Sequence, residues 1–100
     1  MNTKLNFLDE LFVTIEKKAK SKDNKSYTKK ILKSGKNKIA QKVGEESTEL
    51  IIDYLNGSKK RTVEEASDLI YHLLILLYSK KIKLSDIENE LKKRKNVRSK

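Results

Sequence analysis

Residues 42–49 read KVGEESTE and place three carboxylates, those of Glu45, Glu46 and Glu49, within five positions. On a helix, residues three and four apart lie on the same side, so these three groups share one edge. Like charges at that spacing repel by roughly 0.2–0.5 kcal/mol per pair. The chain has 24 Lys and Arg residues, yet none stands between these acids. This concentration of negative charge therefore indicates a function for this helix edge.

A second acidic pair, Glu65 and Asp68, repeats the three-residue offset at the start of another apolar segment. Two adjacent helices that each present paired carboxylates can hold a hard cation between them. Without a cation, carboxylates in a half-buried cleft raise each other's pKa. The pattern predicts a site for Mg²⁺, with Mn²⁺ as the alternative, formed by Glu46, Glu49, Glu65 and Asp68. Such an ion would stabilise charge on a transferring phosphoryl group, which leaves Glu45 to orient the attacking water or accept its proton.

The composition limits the class of protein. One hundred residues predict a single domain over 1–100, with a core over about 5–94 and a basic tail at 95–100. The absence of Cys excludes disulfides and thiolate metal sites and fits a cytoplasmic location. No apolar run approaches the ~18 residues that a membrane-spanning helix needs, so no membrane partner is expected.

The net charge of +10 raises nucleic acid as a partner. Only three of the 24 basic residues are Arg, the side chain that base readout and phosphate forks favour. The Lys residues are also scattered along the whole chain. A solvated basic surface that attracts an anionic small substrate is the favoured interpretation, and no specific nucleic acid is expected.

Apolar spacing predicts an all-α bundle of four to five helices. The sequence has no Pro, three Gly and no strand-like alternation. The predicted helices cover residues 5–20, 28–34, 38–56, 63–79 and 85–94.

The helix ends are predicted from capping residues. Gly35 and Gly57 are expected to end the second and third helices, with Gly35 in a left-handed conformation. Asn37 and Thr62 are expected to cap the third and fourth helices, and Ser85 the fifth. Two apolar residues of the fifth helix, Ile87 and Leu91, are expected to face the core.

Two site residues have structural alternatives. Glu65 stands three residues after Thr62 in the pattern T-x-x-E, and local pattern alone favours a capping box over a metal ligand. His72, four residues after Asp68, is interpreted as a hydrogen-bonded structural histidine in preference to a metal ligand. The sequence has no second His, so zinc is not expected.

Three strings together resemble the phosphoribosyl-ATP pyrophosphatase family of histidine biosynthesis. They are SYT at 26–28, KVGEE at 42–46 and EASDLIYH at 65–72, and the likeness extends over about 5–94. Ser47 and Ser67 stand where the family often has Ala, a small-for-small difference.

The resemblance implies a MazG-like all-α fold, a dimer or larger helical assembly, and Mg²⁺-dependent hydrolysis of phosphoribosyl-ATP to phosphoribosyl-AMP and pyrophosphate. The superfamily pattern E-x-x-E followed by E-x-x-D matches Glu46, Glu49, Glu65 and Asp68. This resemblance favours Glu65 as a metal ligand over the capping box. Some family members are fused to a zinc cyclohydrolase, and this Cys-free chain is expected to be a stand-alone hydrolase.

Catalytic and substrate roles complete the hypothesis. Glu45 and Glu49 are the catalytic candidates. Tyr27 and Thr28 are the candidates for substrate contact, with a helix start as their alternative. Lys42 either neutralises a phosphate or pairs with Glu46 one turn later, and the phosphate is favoured.

Two other functions stay open. A house-cleaning nucleoside triphosphate pyrophosphatase of the same superfamily shares the acidic pattern, although the SYT and YH strings speak against it. A basic helical nucleic-acid-binding protein predicts binding that weakens steeply with salt and does not depend on Glu49.

Overall fold

The computed structural model describes the backbone of residues 6–98 and the side chains of residues 7–95. This part of the chain is all-α, as predicted, and contains no strand. The helices are α1 (Asn6–Lys20), α2 (Tyr27–Lys33), α3 (Lys36–Asn56), α4 (Lys59–Ser79) and α5 (Leu84–Arg98). None of the helices within the described residues combines the length and the hydropathy needed to span a bilayer.

The core lies where the first four helices meet. Its apolar members come from all four, with three of them on α4, and are Phe12, Ile15, Ile31, Ile39, Leu74, Ile75 and Leu77. α3 and α4 make the most extensive packing contact of the bundle, while α1 and α2 cover one side of α4. The helix edges that carry Glu46 and Glu49 on α3 and Glu65 on α4 are thereby placed beside each other.

A two-residue turn, Gly57 and Ser58, joins α3 to α4. The Gly57 N–H donates to the Asp53 carbonyl at 2.8 Å, and a Cβ at position 57 would lie 2.9 Å from that same oxygen. Only glycine fits against α3 this closely, so the prediction that Gly57 ends the helix is confirmed. The Thr62 hydroxyl donates to the same Asp53 carbonyl at 3.2 Å and ties α4 to the end of α3.

The predicted cap of α4 is wrong, because the helix begins four residues earlier than expected. Ser58 is the N-cap, and its hydroxyl accepts a hydrogen bond from the Arg61 N–H at 3.1 Å. Thr62 therefore lies inside the helix, and its hydroxyl donates to backbone carbonyls. The capping-box alternative for Glu65 is therefore also wrong, since Glu65 lies in the second turn of α4.

The predicted cap of α3 is also wrong. α3 begins at Lys36, directly after Gly35, so Asn37 lies within the helix. Gly35 has the positive φ expected of it, 96°, but its ψ of 171° is extended and not left-handed helical. Only glycine readily adopts this combination of φ and ψ, and at Gly35 it directs the chain from α2 straight into α3.

α5 differs from its prediction in both ends and orientation. It starts at Leu84, where the Asp86 carboxylate accepts from the Lys83 N–H at 2.9 Å, and it continues to Arg98. The prediction that Ile87 and Leu91 face the core is wrong, because both side chains are exposed. They line an open apolar groove beside Leu8 of α1, and α5 otherwise packs sparsely on the described bundle.

A second group of large apolar side chains is exposed on the α3–α4 hairpin, and we call it the apolar face. Each of its members is at least 41% exposed. They are Ile51, Ile52, Tyr54, Leu55, Val63, Ile70 and Leu73. α4 is thus buried on one side only, although its sequence is apolar almost all round.

Candidate active site

Three glutamates from adjacent helices meet between α3 and α4, and we call this group the acid site. One carboxylate oxygen each of Glu46, Glu49 and Glu65 lies within 4.8 Å of the other two. Glu46 and Glu65 are only 7% and 5% exposed, whereas Glu49 is exposed. Asp68, the fourth predicted acid, is exposed and lies outside this group.

The two buried glutamates use their oxygens in the same way. Glu46 has its Oε2 at 3.5 Å from the Lys42 ammonium, and Glu65 has its Oε2 at 2.8 Å from the Arg61 guanidinium. The other oxygen of each, Oε1, is buried and has no hydrogen-bond partner among the described residues. Buried carboxylate oxygens without partners are costly, so the site is suited to a cation that the protein alone does not supply.

The acids also act on one another's protonation. Burial, followed by the nearby carboxylate of Glu49, raises the pKa of Glu65, while the Arg61 charge opposes this increase. Asp68 adds a smaller increase from outside the group. A bound cation would reverse this preference by stabilising the ionised form of Glu65.

Glu45, the other predicted catalytic residue, lies outside this group. Its Oε2 accepts a hydrogen bond from Gln41 at 2.8 Å, and its Oε1 lies 3.7 Å from Lys42. The Gln41 hydrogen bond and the nearby Lys charges lower the pKa of Glu45. A lower pKa makes this exposed carboxylate a weaker base than an ordinary glutamate.

A polar layer connects α2 to α4 next to the acid site. The Tyr27 hydroxyl lies 2.6 Å from His72 Nε2, and His72 Nδ1 lies 2.8 Å from the Asp68 carbonyl. His72 is hydrogen-bonded, as predicted, and both of its ring nitrogens have partners. Thr28 Oγ1 forms a second hydrogen bond across the same two helices, to the Tyr71 hydroxyl.

The two predicted substrate contacts differ in exposure. Tyr27 is 47% exposed, whereas Thr28 is 1% exposed and faces the core. Burial raises the pKa of Tyr27, the charge of Lys42 opposes this, and the charges of Glu46 and Asp68 add to it. Only Tyr27 of this pair presents its side chain to a ligand.

Arg61 is the site residue that the sequence analysis missed. Besides Glu65, its guanidinium contacts Glu64 at 2.8 Å and Asp53 at 3.6 Å, so it bridges α3 and α4. Its spacing of four residues before Glu65 was a usable signal. The predicted cap at Thr62 puts Arg61 before the start of the helix, so the helical spacing between Arg61 and Glu65 is not apparent from the predicted helices.

The all-helical fold and the glutamates that meet between α3 and α4 are consistent with the MazG-like class of helical hydrolases.

Comparison with known proteins identifies the family within this class. The family model described as phosphoribosyl-ATP pyrophosphohydrolase matches residues 8–95. A phosphoribosyl-ATP pyrophosphatase of Sulfolobus acidocaldarius is 47% identical over 89% of this chain and 94% of its own length. Another from Clostridium novyi is 42% identical over 91% and 83%. The chain belongs to the phosphoribosyl-ATP pyrophosphohydrolase family and is a hydrolase, which confirms the resemblance.

The family also includes longer proteins. A histidine biosynthesis bifunctional protein of Bacteroides thetaiotaomicron is 44% identical over 88% of this chain, which spans 43% of that relative.

Proposed function

We propose that this chain hydrolyses phosphoribosyl-ATP to phosphoribosyl-AMP and pyrophosphate in histidine biosynthesis. Membership of the family and the names of its relatives support this substrate. The observation that carries the proposal is the acid site itself, where Glu46 and Glu65 each keep one buried oxygen unpaired beside Glu49. A triphosphate chain is a substrate that such a site would hold through a shared cation.

Mg²⁺, or Mn²⁺ in its place, fits the residues of the acid site. All three donors are carboxylates, and the only His in the chain has both nitrogens engaged elsewhere. Oxygen-only ligation favours a hard cation over zinc. We assign Glu46, Glu49 and Glu65 as ligands and Asp68 as an outer carboxylate that adds negative charge. When bound, the ion would neutralise these carboxylates and stabilise charge on the phosphoryl group.

Glu49 is our choice for the base that accepts the proton of the attacking water. It is the exposed member of the acid site, whereas Glu45 lies outside the site and has a lowered pKa. The water oxygen forms the new bond to phosphorus while the bridging bond between the α- and β-phosphoryl groups breaks. The displaced oxygen leaves with one product, and the water proton passes to Glu49.

Two side chains are proposed to hold the substrate. Lys42 is partly exposed and balances the charge of Glu46, and its ammonium is available to neutralise an arriving phosphate. Tyr27, which is 47% exposed, offers its hydroxyl at the polar layer. Thr28 is 1% exposed, and we assign it no contact with the substrate.

The apolar face supports assembly as a homodimer. Seven large apolar side chains exposed on one hairpin form the kind of surface that marks an interface. A second copy is the occupant we propose, since the chain is short and its described core is small. This assembly would leave the acid site on the other edge of the hairpin in contact with solvent.

The decisive test is an assay of pyrophosphate release from phosphoribosyl-ATP, with ATP and other nucleoside triphosphates as comparison substrates. We expect turnover of phosphoribosyl-ATP that is abolished by EDTA and restored by Mg²⁺. Faster turnover of ordinary triphosphates would instead identify a house-cleaning pyrophosphatase. Turnover that is unaffected by metal removal would contradict the assignment of the acid site.

The metal can be tested without turnover. Mg²⁺ at 100 times its Kd stabilises a folded protein by about 2.7 kcal/mol. We expect Mg²⁺ to raise the melting temperature of the wild-type chain and not that of Glu65→Gln. Glu88→Gln, which removes an exposed carboxylate from α5, is the matched control and should respond like the wild type.

A further inference from the structure

The hydrogen bond between Tyr27 and His72 has a defined direction. His72 Nδ1 lies 2.8 Å from the Asp68 carbonyl oxygen, which can only accept. The ring hydrogen is therefore on Nδ1, and Nε2 of the neutral imidazole carries a lone pair. The Tyr27 hydroxyl, 2.6 Å away, must then donate to Nε2.

This direction determines what Tyr27 can offer to a ligand. Its one hydroxyl hydrogen is committed to His72, so the exposed side of the oxygen retains only acceptor lone pairs. Phosphate oxygens at neutral pH bring no hydrogen and would be repelled by those lone pairs. A sugar hydroxyl or an amino group brings a hydrogen and would be bound.

The geometry around the pair holds it in place. His72 is 8% exposed, and the Tyr27 and His72 rings stand nearly perpendicular, at 87°, with centroids 5.6 Å apart. The Tyr71 and His72 rings are also nearly perpendicular, at 86°, with centroids 6.0 Å apart. The imidazole thus contacts two aromatic rings, and it cannot turn without breaking the Asp68 bond.

We infer that His72 is a positioning residue that fixes Tyr27 as a hydrogen-bond acceptor, so that Tyr27 selects a hydroxyl or amino donor of the substrate and not a phosphate. This rests on the proposed function, because the ribose hydroxyls and the adenine amino group of phosphoribosyl-ATP are the donors available. The role goes beyond filling the core, since a structural histidine would be indifferent to the direction of the bond.

The first experiment measures the direction of the bond. His72 is the single histidine of the chain, so its two ring nitrogens give unambiguous ¹⁵N signals. The spectrum is recorded at alkaline pH. We expect the spectrum of the tautomer protonated at Nδ1. The tautomer protonated at Nε2 would overturn the inference.

The second experiment separates binding from chemistry. His72→Leu leaves the Tyr27 hydroxyl without its acceptor, and we expect KM to increase roughly tenfold with kcat changed little, as for the loss of one hydrogen bond. His72→Gln places an amide oxygen near the position of Nε2 and should restore KM. Tyr27→Phe should raise KM by a similar factor, and the double variant Tyr27→Phe with His72→Leu should be no worse than either one.

The chain supplies a matched control. Tyr71→Phe removes the neighbouring bond between α2 and α4 but leaves the Tyr27–His72 bond intact. It should cost stability without changing KM. Equal increases in KM for Tyr71→Phe and His72→Leu would reduce His72 to a structural role and overturn the inference.

A deoxy analogue identifies the donor. If Tyr27 binds a ribose hydroxyl, phosphoribosyl-ATP lacking that hydroxyl should be insensitive to Tyr27→Phe. Sensitivity that persists for every deoxy analogue and for the analogue without the amino group would refute donor recognition. Absence of any wild-type turnover would instead defeat the proposed function, while the ¹⁵N spectrum would still determine the direction of the bond.

Discussion

The acid site and the apolar face occupy different edges of the same helical hairpin and break the same rule in opposite ways. At the acid site, Glu46 and Glu65 are buried although they carry charge. On the apolar face, seven large apolar side chains are exposed although water disfavours them. We propose a cation as the missing component in the first case and a second copy of the chain in the second.

The largest effect is expected at the acid site. Glu49→Gln keeps the size of the side chain but removes both a negative ligand and the proposed base, so kcat should fall by about 10²–10⁴-fold. Asp68→Asn, outside the site, should cost less, about 10–100-fold, as for residues that act through a ligand. Steady-state kinetics with circular dichroism would check that the helices persist. Equal losses for the two variants would place Asp68 among the ligands, and full activity in both would remove the site altogether.

The apolar face gives the next largest effect. Leu55→Asp places a charge where we expect the second copy to pack, and burial of a side chain of that size contributes about 1.5–3 kcal/mol. The dimer Kd should therefore increase by at least about tenfold. Sedimentation over a concentration series measures it, with Leu91→Asp on α5 as the exposed apolar control. A wild-type chain that stays monomeric at high concentration would show that the face has another occupant.

The pH dependence of stability without metal should depend on the acid site and not on the apolar face. The pKa of Glu65 is raised above 4.5 in the folded chain, chiefly by burial. As the pH rises above this value, the unfolded chain releases the proton first, so the free energy of unfolding falls until the raised pKa is passed. Urea unfolding in EDTA should show this fall in the wild type and in Leu55→Asp, but not in Glu65→Gln. A rise over the same range in the wild type would contradict the burial of that charge.

The smallest effect is expected at Arg61. Its side chain is about half exposed, and ion pairs of that kind contribute about 1 kcal/mol or less. Arg61→Met should lower stability by that amount and raise the pKa of Glu65 further, because the opposing charge is gone. Urea titrations compared with Arg94→Met, whose pair with Glu90 lies on α5, would isolate the contribution. A large loss would show that Arg61 sets the separation of α3 and α4.

The gathering of the acids was predictable because helical spacing is a local property. Glu46 and Glu49 share an edge by periodicity alone, and the E-x-x-D pattern placed Glu65 on a matching edge. Spacing along one helix does not determine how far each helix is rotated about its own axis relative to its neighbour. That rotation leaves Asp68 outside the group. That rotation depends on contacts such as those of Asp53 with Arg61 and Thr62, which the sequence does not reveal.

Caps and partners were less predictable for two physical reasons. Ser58 and Thr62 are both good N-caps, and the choice of Ser58 depends on the close fit of Gly57 against α3. The bond of Tyr27 to His72 joins residues 45 positions apart, so no local pattern signals it. The exposure of Ile87 and Leu91 reflects a helix whose apolar stripe has few partners within the described chain.

The two-residue connection at Gly57 and Ser58 also governs how the chain tolerates changes in length. Each added or deleted residue would rotate α4 by about 100° about its axis, which would carry Glu65 away from Glu46 and Glu49. The longer segment between α1 and α2 carries none of the three glutamates of the acid site. A change in its length would not alter how those glutamates face one another. Insertions should therefore be accepted there and rejected at the hairpin, so the spacing between the two acidic motifs is as much a part of the proposed catalytic centre as the glutamates themselves.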